Sequence, residues 1–164
     1  NSPIRETGKR LCRMDAMAAP SDNFAQAYHL EKVISWLDRG GNVNETRLSK
    51  KGHTLLISAS IQNHEKAVAE LLRRGADPNI KGGGKTALVH AVAMANRGCV
   101  ELLLRGGART DIRVDVDDSD YTENDGMSPL EIVEAELAGR GARPRMADIG
   151  RMLRAAEAEQ QRRR

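Results

Sequence analysis

Gly52-His53-Thr54-Leu55-Leu56-Ile57-Ser58-Ala59 and Gly84-Lys85-Thr86-Ala87-Leu88-Val89-His90-Ala91 share one Gly-x-Thr-x-Leu-x-x-Ala frame, displaced by 32 residues. The match continues at the same offset, with Leu71-Leu72-Arg73-Arg74-Gly75-Ala76-Asp77 answering Leu103-Leu104-Arg105-Gly106-Gly107-Ala108-Arg109. A fixed period of this length marks stacked supersecondary units rather than one closed core. Thr54 and Thr86 are placed to cap a helix by accepting from a backbone N–H of its first turn. Leu56, Ala59, Leu88 and Ala91 have the i, i+3 spacing of a buried helix face. Val68, Leu71 and Leu72, and likewise Val100, Leu103 and Leu104, form the apolar stripe of a second helix. Gly75 and Gly107 follow it, where a helix end calls for a residue that tolerates positive φ.

These frames resemble the ankyrin-repeat family, whose unit is a β-turn finger followed by two helices and a loop. A third frame opens at Gly126-Met127-Ser128-Pro129-Leu130-Glu131, with Ser128 as cap, Pro129 at the first helical position and Glu131 completing a capping box. It starts 42 residues after Gly84, so about ten extra residues fall in its finger, at residues 113–125. Gly139-Arg140-Gly141-Ala142-Arg143-Pro144 lengthens the link between this unit's two helices. Upstream, Val33, Ile34, Trp36 and Leu37 lead into Gly40-Gly41-Asn42-Val43-Asn44, the second helix and exit of an N-terminal unit whose first helix, around Asp22 to His29, lacks the frame. Terminal units of solenoids are atypical because one face meets water. The resemblance implies an all-α ankyrin-repeat solenoid over residues 22–158, of about four helix-turn-helix units (22–47, 48–80, 81–112 and 123–158) with β-turn fingers and degenerate end caps. Residues 1–21 read as an N-terminal linker or cap extension, and 159–164 as a basic tail. Helices are predicted near residues 54–62, 64–73, 86–94, 97–105, 128–137 and 145–159.

Composition agrees. Charged residues make up 30% of the chain and it has one Trp and one Phe, which suits thin helical layers better than a large closed core. Net charge is +3, but its distribution is uneven: residues 139–164 carry eight arginines, and residues 111–125 carry seven acids and one Arg. Cys12 and Cys99 offer neither a disulfide framework nor metal spacing, and a reducing intracellular compartment, cytoplasmic or alternatively nuclear, fits them. No run approaches the length of a membrane span. The chain begins at Asn1 without an initiating Met and reads as a fragment, so an upstream targeting segment would not be visible.

Three motifs invite a chemical reading. Gly82-Gly83-Gly84-Lys85-Thr86 ends like a phosphate-binding loop, yet Asn79 stands where its first Gly belongs and no hydrophobic strand precedes it. Asp115, Asp117 and Ser119 alternate like the opening of a calcium loop, but Asp120 replaces the turn Gly and Gly126 replaces the bidentate Glu, which excludes a high-affinity EF-hand and leaves weak cation binding as the alternative. His29, His53, His64 and His90 form no pair at ligand spacing. Asn63-His64 occupies the place where ankyrin repeats put Gly-His between the helices, which implies a structural hydrogen-bonding role. Catalysis needs preorganised titrating groups, and none is visible. The chain is read as a non-enzyme without cofactor or metal.

Function therefore rests on the resemblance. The family binds through its concave face, made by the fingers and the exposed side of the first helices. Carried onto this sequence, the finger candidates are Lys50, Lys51 and His53, then Lys81 and Lys85, then Asp118, Asp120, Tyr121 and Asp125. The first-helix candidates are Ile61, Gln62, His90 and Met94, with a packed histidine as the alternative for His90. The reading is a non-catalytic protein-interaction module for a protein or peptide, expected to be a monomer, with a groove basic on two fingers and acidic on the third. Ile61 and Met94 would supply apolar contact. The alternatives are a regulatory ankyrin domain of a larger enzyme, or a nucleic-acid binder using the basic fingers and the Arg-rich end. The latter is disfavoured because residues 37–120 contain no aromatic for base stacking and the acidic finger repels phosphate.

Overall fold

A computed structural model of the protein describes residues 27–46, 52–115, 124–139 and 144–163, with side chains from residue 30 onward. Thr54 Oγ1 accepts from the Ile57 N–H at 3.2 Å and Thr86 Oγ1 from the Val89 N–H at 3.3 Å, so both repeated threonines start helices as the frame predicts. Ser128 does the same for Glu131 while the Glu131 carboxylate accepts from the Ser128 N–H at 2.7 Å, closing the capping box with Pro129 in the first turn.

Seven helices result among the described residues: α1 (Ala27–Asp38), α2 (Leu55–Ile61), α3 (Glu65–Arg73), α4 (Ala87–Ala93), α5 (Arg97–Arg105), α6 (Pro129–Ala138) and α7 (Pro144–Arg162). Strand-like pairing there is confined to one isolated bridge, Gly82 with Lys85. Five of these helices end alike. A residue at positive φ (Gly40, Asn63, Gly75, Ala95, Gly107) follows the cap, and the next N–H reaches back five residues, as from Asn96 to the Ala91 carbonyl at 2.9 Å and from Ala108 to Leu103 at 2.9 Å. Gly75 and Gly107 thus do what the sequence asks of them. Asn63 and Ala95 adopt the same conformation despite carrying Cβ atoms.

Helices pair within units, α2 with α3, α4 with α5 and α6 with α7, and the units stack. First helices form one row, α2 on α4 on α6, and second helices another, α3 on α5 on α7. Leu56, Ile57, Leu88, Val89, Ile132 and Val133 are buried in the first row, and Val68, Leu71, Val100, Leu103, Ile149 and Leu153 in the second. No unit can bury its apolar faces alone, and stacking makes the core continuous. The fold is the all-α solenoid expected from the period.

Four details differ from the sequence reading. Ala27–His29 belong to α1, continuous with Val33–Leu37, instead of ending a separate first helix; Leu30-Glu31 offers no residue suited to the positive φ that breaks the later units. The remainder of that expected helix, residues 22–26, lies outside the described residues. Helix α7 runs on to Arg162, through most of the expected tail, because Gln160 anchors it: its Nε2 donates to the Ala108 carbonyl at 3.0 Å and its Oε1 accepts from Thr110 Oγ1 at 3.2 Å. His64 sits at the N-cap of α3 but its ring makes no capping bond; its repeat counterpart Asn96 carries the polar role, donating to the Ser60 and Ile61 carbonyls at 2.9 and 3.4 Å. Leu72 and Leu104 are only partly buried, the fully enclosed leucines being Leu71 and Leu103.

Leu103→Ala is therefore expected to cost about 2–5 kcal/mol in urea denaturation, from lost transfer energy plus the cavity left between units. Leu104→Ala should cost clearly less, and equal costs would show that the buried stripe has been misplaced.

Candidate partner-binding surface

The fingers begin from a two-residue turn. The Gly82 N–H donates to the Lys85 carbonyl at 2.9 Å and the Lys85 N–H returns to Gly82 at 3.3 Å, with Gly83 and Gly84 at φ +57° and +75° between them. A Cβ on Gly82 would lie 2.7 Å from the Gly52 carbonyl oxygen and 2.8 Å from His53 Cα. The missing side chain is what lets this finger lie against the preceding one.

The third finger closes in the same way around a longer excursion. The Val114 N–H donates to Met127 O at 2.9 Å and the Gly126 N–H to Val114 O at 3.1 Å, so residues 115–125 leave and return through a closed stem. The Asp115 N–H donates to Gly84 O at 2.9 Å, tying this stem to the second finger. Arg113 braces it from the other side, donating to Gly126 O at 2.7 Å and bidentately to the Glu131 carboxylate at 2.7 and 2.9 Å. The Ser128 N–H, and then Arg113, hold the Glu131 carboxyl below its ordinary value. Arg113 is thus part of the scaffold that carries the insertion.

The first helices supply the inner wall. At the repeat offsets, Gln62, Met94 and Glu136 share one register position, Ile61, Ala93 and Ala135 the next, and Ser58, His90 and Ile132 a third. Met94, at the C-cap of α4, is 53% exposed, the large apolar side chain that breaks the otherwise buried pattern among the described residues. Gln62 is half-buried at the C-cap of α2. Ile61 is half-buried and packs against the core. His53 of the first finger and His90 of α4 meet edge to face, with ring centroids 5.3 Å apart at 69°. Lys81 is bound to Asp115 by an ion pair that joins the second finger to the third stem. Lys85 and Asp125 are half-buried at their fingers. Lys50, Lys51, Asp118, Asp120 and Tyr121 lie outside the described residues, as do Asp117 and Ser119 of the calcium-like stretch.

Residues 23–120 match the family model for ankyrin repeats, in three copies. The chain belongs to the ankyrin-repeat family. No curated protein matches it. The matched region ends inside the insertion, and beyond it α6 stacks on α4 and α7 on α5. Ankyrin repeats in general mediate protein–protein interaction and are non-catalytic.

Polar links between the ankyrin units were not foreseen. Asn44 Oδ1 accepts from the Asp77 N–H and Asn79 Oδ1 from the Arg109 N–H, each at 2.8 Å, so the first exit loop is hydrogen-bonded to the second and the second to the third. The recurring Asn in Asn42-Val43-Asn44 and Asp77-Pro78-Asn79 was the available signal. Arg113 with Glu131, and Gln160 with Ala108 and Thr110, had none, since their partners lie 18 to 52 positions away. The Cys99 thiol is buried and pushed up to about 11, by burial first and then by Glu65, and it donates to Asn63 Oδ1 at 3.6 Å. It packs as a small hydrophobe. Glu157 is raised by burial, then by Glu134 and Asp111. Among the described residues no group of three or more His, Cys, Asp or Glu could hold a metal, and no helix is long and apolar enough to cross a membrane.

The stem and its brace can be tested with three variants. Ser128→Ala should destabilise by about 1 kcal/mol through the lost cap. Because the folded Glu131 carboxyl lies below its ordinary value, its contribution is complete above the unfolded value and disappears as pH falls through the folded one. Glu131→Gln should accordingly be less stable at neutral pH and lose less on acidification, as read by thermal melts between pH 7 and 3. Deleting residues 116–125 leaves Val114-Asp115-Gly126-Met127, the counterpart of Gly82-Gly83-Gly84-Lys85, and should keep or slightly raise the melting temperature, since loop closure costs little and the stem is already formed.

Proposed function

We propose that this ankyrin domain is a non-catalytic module that binds a protein or peptide segment along its concave surface of fingers and first helices. The observation that carries the reading is Met94, an apolar side chain left 53% exposed in the first-helix row, between Gln62 and Glu136 and on the same helix as His90. Isolated exposed apolar atoms are ordinary, but one set in a concave row among polar neighbours has the form of an interface anchor. Around it, His53 and His90 form the wall nearer the fingers. Lys85 and the stem of the acidic insertion supply opposite charge on neighbouring fingers, an arrangement that directs the orientation and association rate of a bound segment more than its affinity.

The Lys81–Asp115 pair favours a protein partner over nucleic acid. It neutralises one of the basic fingers that a phosphate backbone would need, and phosphate contacts dominate nucleic-acid affinity. Residues 116–125 would add acidic contacts for a basic partner, and on this reading their deletion weakens binding most at low salt, where screening is least.

The test is affinity capture from native lysate with mass spectrometry, followed by titration of the recovered partner against wild type, Met94→Glu and Leu104→Ala. Met94→Glu should weaken binding at least roughly tenfold while leaving the melting temperature within a few degrees, as expected for an anchor residue. Leu104→Ala, on the second-helix row, should bind normally. Undiminished affinity in Met94→Glu would remove the groove from consideration.

A further inference from the structure

Three register positions of each first helix, spaced i, i+3 and i+4, share one face and line the concave surface. On α2 they hold Ser58, Ile61 and Gln62, and on α4 His90, Ala93 and Met94, with no carboxylate, lysine or arginine among them. On α6 the first is the buried Ile132, and the others are Ala135 and Glu136, both exposed. Glu136 is thus the one formally charged side chain at these positions.

The other acids of α6 are already engaged. The helix carries three glutamates and no basic residue. Glu131 is held by the Ser128 N–H and bidentately by Arg113, and Glu134 accepts from Arg154 Nη2 at 3.1 Å. Glu136 makes no ion pair with any described residue. Arg97, three residues beyond Met94, opens α5 and belongs to the second-helix row. The described parts of the second and third fingers add no strong sign of their own, because Lys81 is paired with Asp115, and Lys85 and Asp125 are opposite in charge. An occupant that covers Ala135 and Met94 takes water from the Glu136 carboxylate as well. A carboxylate that loses water without gaining a counter-charge costs free energy, so a neutral or acidic occupant is penalised and a cationic side chain offsets the loss.

Stacking sets the spacing of the two contacts. Helix α6 packs on α4, and packed helix axes lie about 8–10 Å apart. A chain in the polyproline-II conformation returns to the same face every three residues, after about 9 Å. We propose that the concave surface takes an extended segment of a partner protein that lays an apolar side chain over Ala93 and Met94 and, three residues away, an arginine or lysine at Glu136. Arginine is the better fit, since its planar fork can meet both carboxylate oxygens. This specificity rests on the binding role proposed for the concave surface, and Glu136 is the residue that sets it.

The probe is a phage library of random dodecapeptides panned on the immobilised full chain, with the selected sequences titrated as synthetic peptides by fluorescence anisotropy. Wild type should enrich an apolar residue separated by three positions, in either chain direction, from Arg or Lys. The isosteric Glu136→Gln should lose that cation preference. Glu136→Lys should replace it with Asp or Glu at the same spacing and weaken the best arginine peptide by about tenfold or more. Glu134→Lys, the same charge change on the same helix but at a side chain engaged by Arg154, should keep the wild-type preference. Thermal melts establish that each variant is folded. Absence of the enriched pattern, the same preference in Glu136→Lys, or an equal change in Glu134→Lys would each overturn the assignment. If Met94→Glu abolishes binding while Glu136→Lys leaves the preference intact, the concave surface stands and only its occupant is wrong; if neither variant affects the selected peptides, the surface falls with it.

Discussion

Everything in this stack depends on how closely one helix layer approaches the next, and small residues set that distance. Ala59 and Ala91 are buried in the first-helix row. Gly106 lies under Leu72 so tightly that a Cβ there would stand 2.8 Å from a leucine methyl, and Gly150 of α7 rests against Val133 of α6. Larger groups at these points would hold the layers apart and leave gaps that a close-packed interior cannot tolerate. The apolar stripes can then meet across unit boundaries, the only burial available to units too thin to have cores of their own.

Apolar contact alone is non-directional and would permit sliding. The polar links supply the register. Asn44, Asn79 and Asn96 each satisfy backbone groups of a neighbouring unit, so alignment is fixed by hydrogen bonds that only one offset can make. The series changes at the third exit loop. Asp111 stands there in the place of Asn44 and Asn79 and accepts from Arg109 of its own loop at 2.8 and 2.9 Å, and Gln160 takes over the role that a further exit loop would play. Helix α7 closes the ladder as well as covering the core.

Most of the fold was legible because its signals are local. The caps Thr54, Thr86 and Ser128, the exit glycines Gly75 and Gly107, and the extra length before Gly126 act within a few residues of where they are read. What escaped was non-local or a matter of degree. The His64 and Asn96 positions look equivalent in the frame, yet only Asn96 spans the units. Leu71 and Leu72 are adjacent and chemically identical, and about a quarter of a helical turn of orientation decides which is enclosed. The candidate surface was legible only in part: His53 and His90 meet, but nothing in the sequence pairs Lys81 with Asp115, because that contact depends on how one finger lies on the next.

The Val114–Met127 stem has an architectural consequence. The chain leaves the repeat and re-enters it at nearly the same point, and Arg113 with Glu131 locks the base before α6 begins. A change of length between those two points therefore need not move the helices on either side. A segment of another length or composition, even a small folded domain with neighbouring termini, could be spliced there without moving α6 from its place on α4. The third finger is a graft point, where sequence can drift or be exchanged while the rest of the solenoid keeps its register.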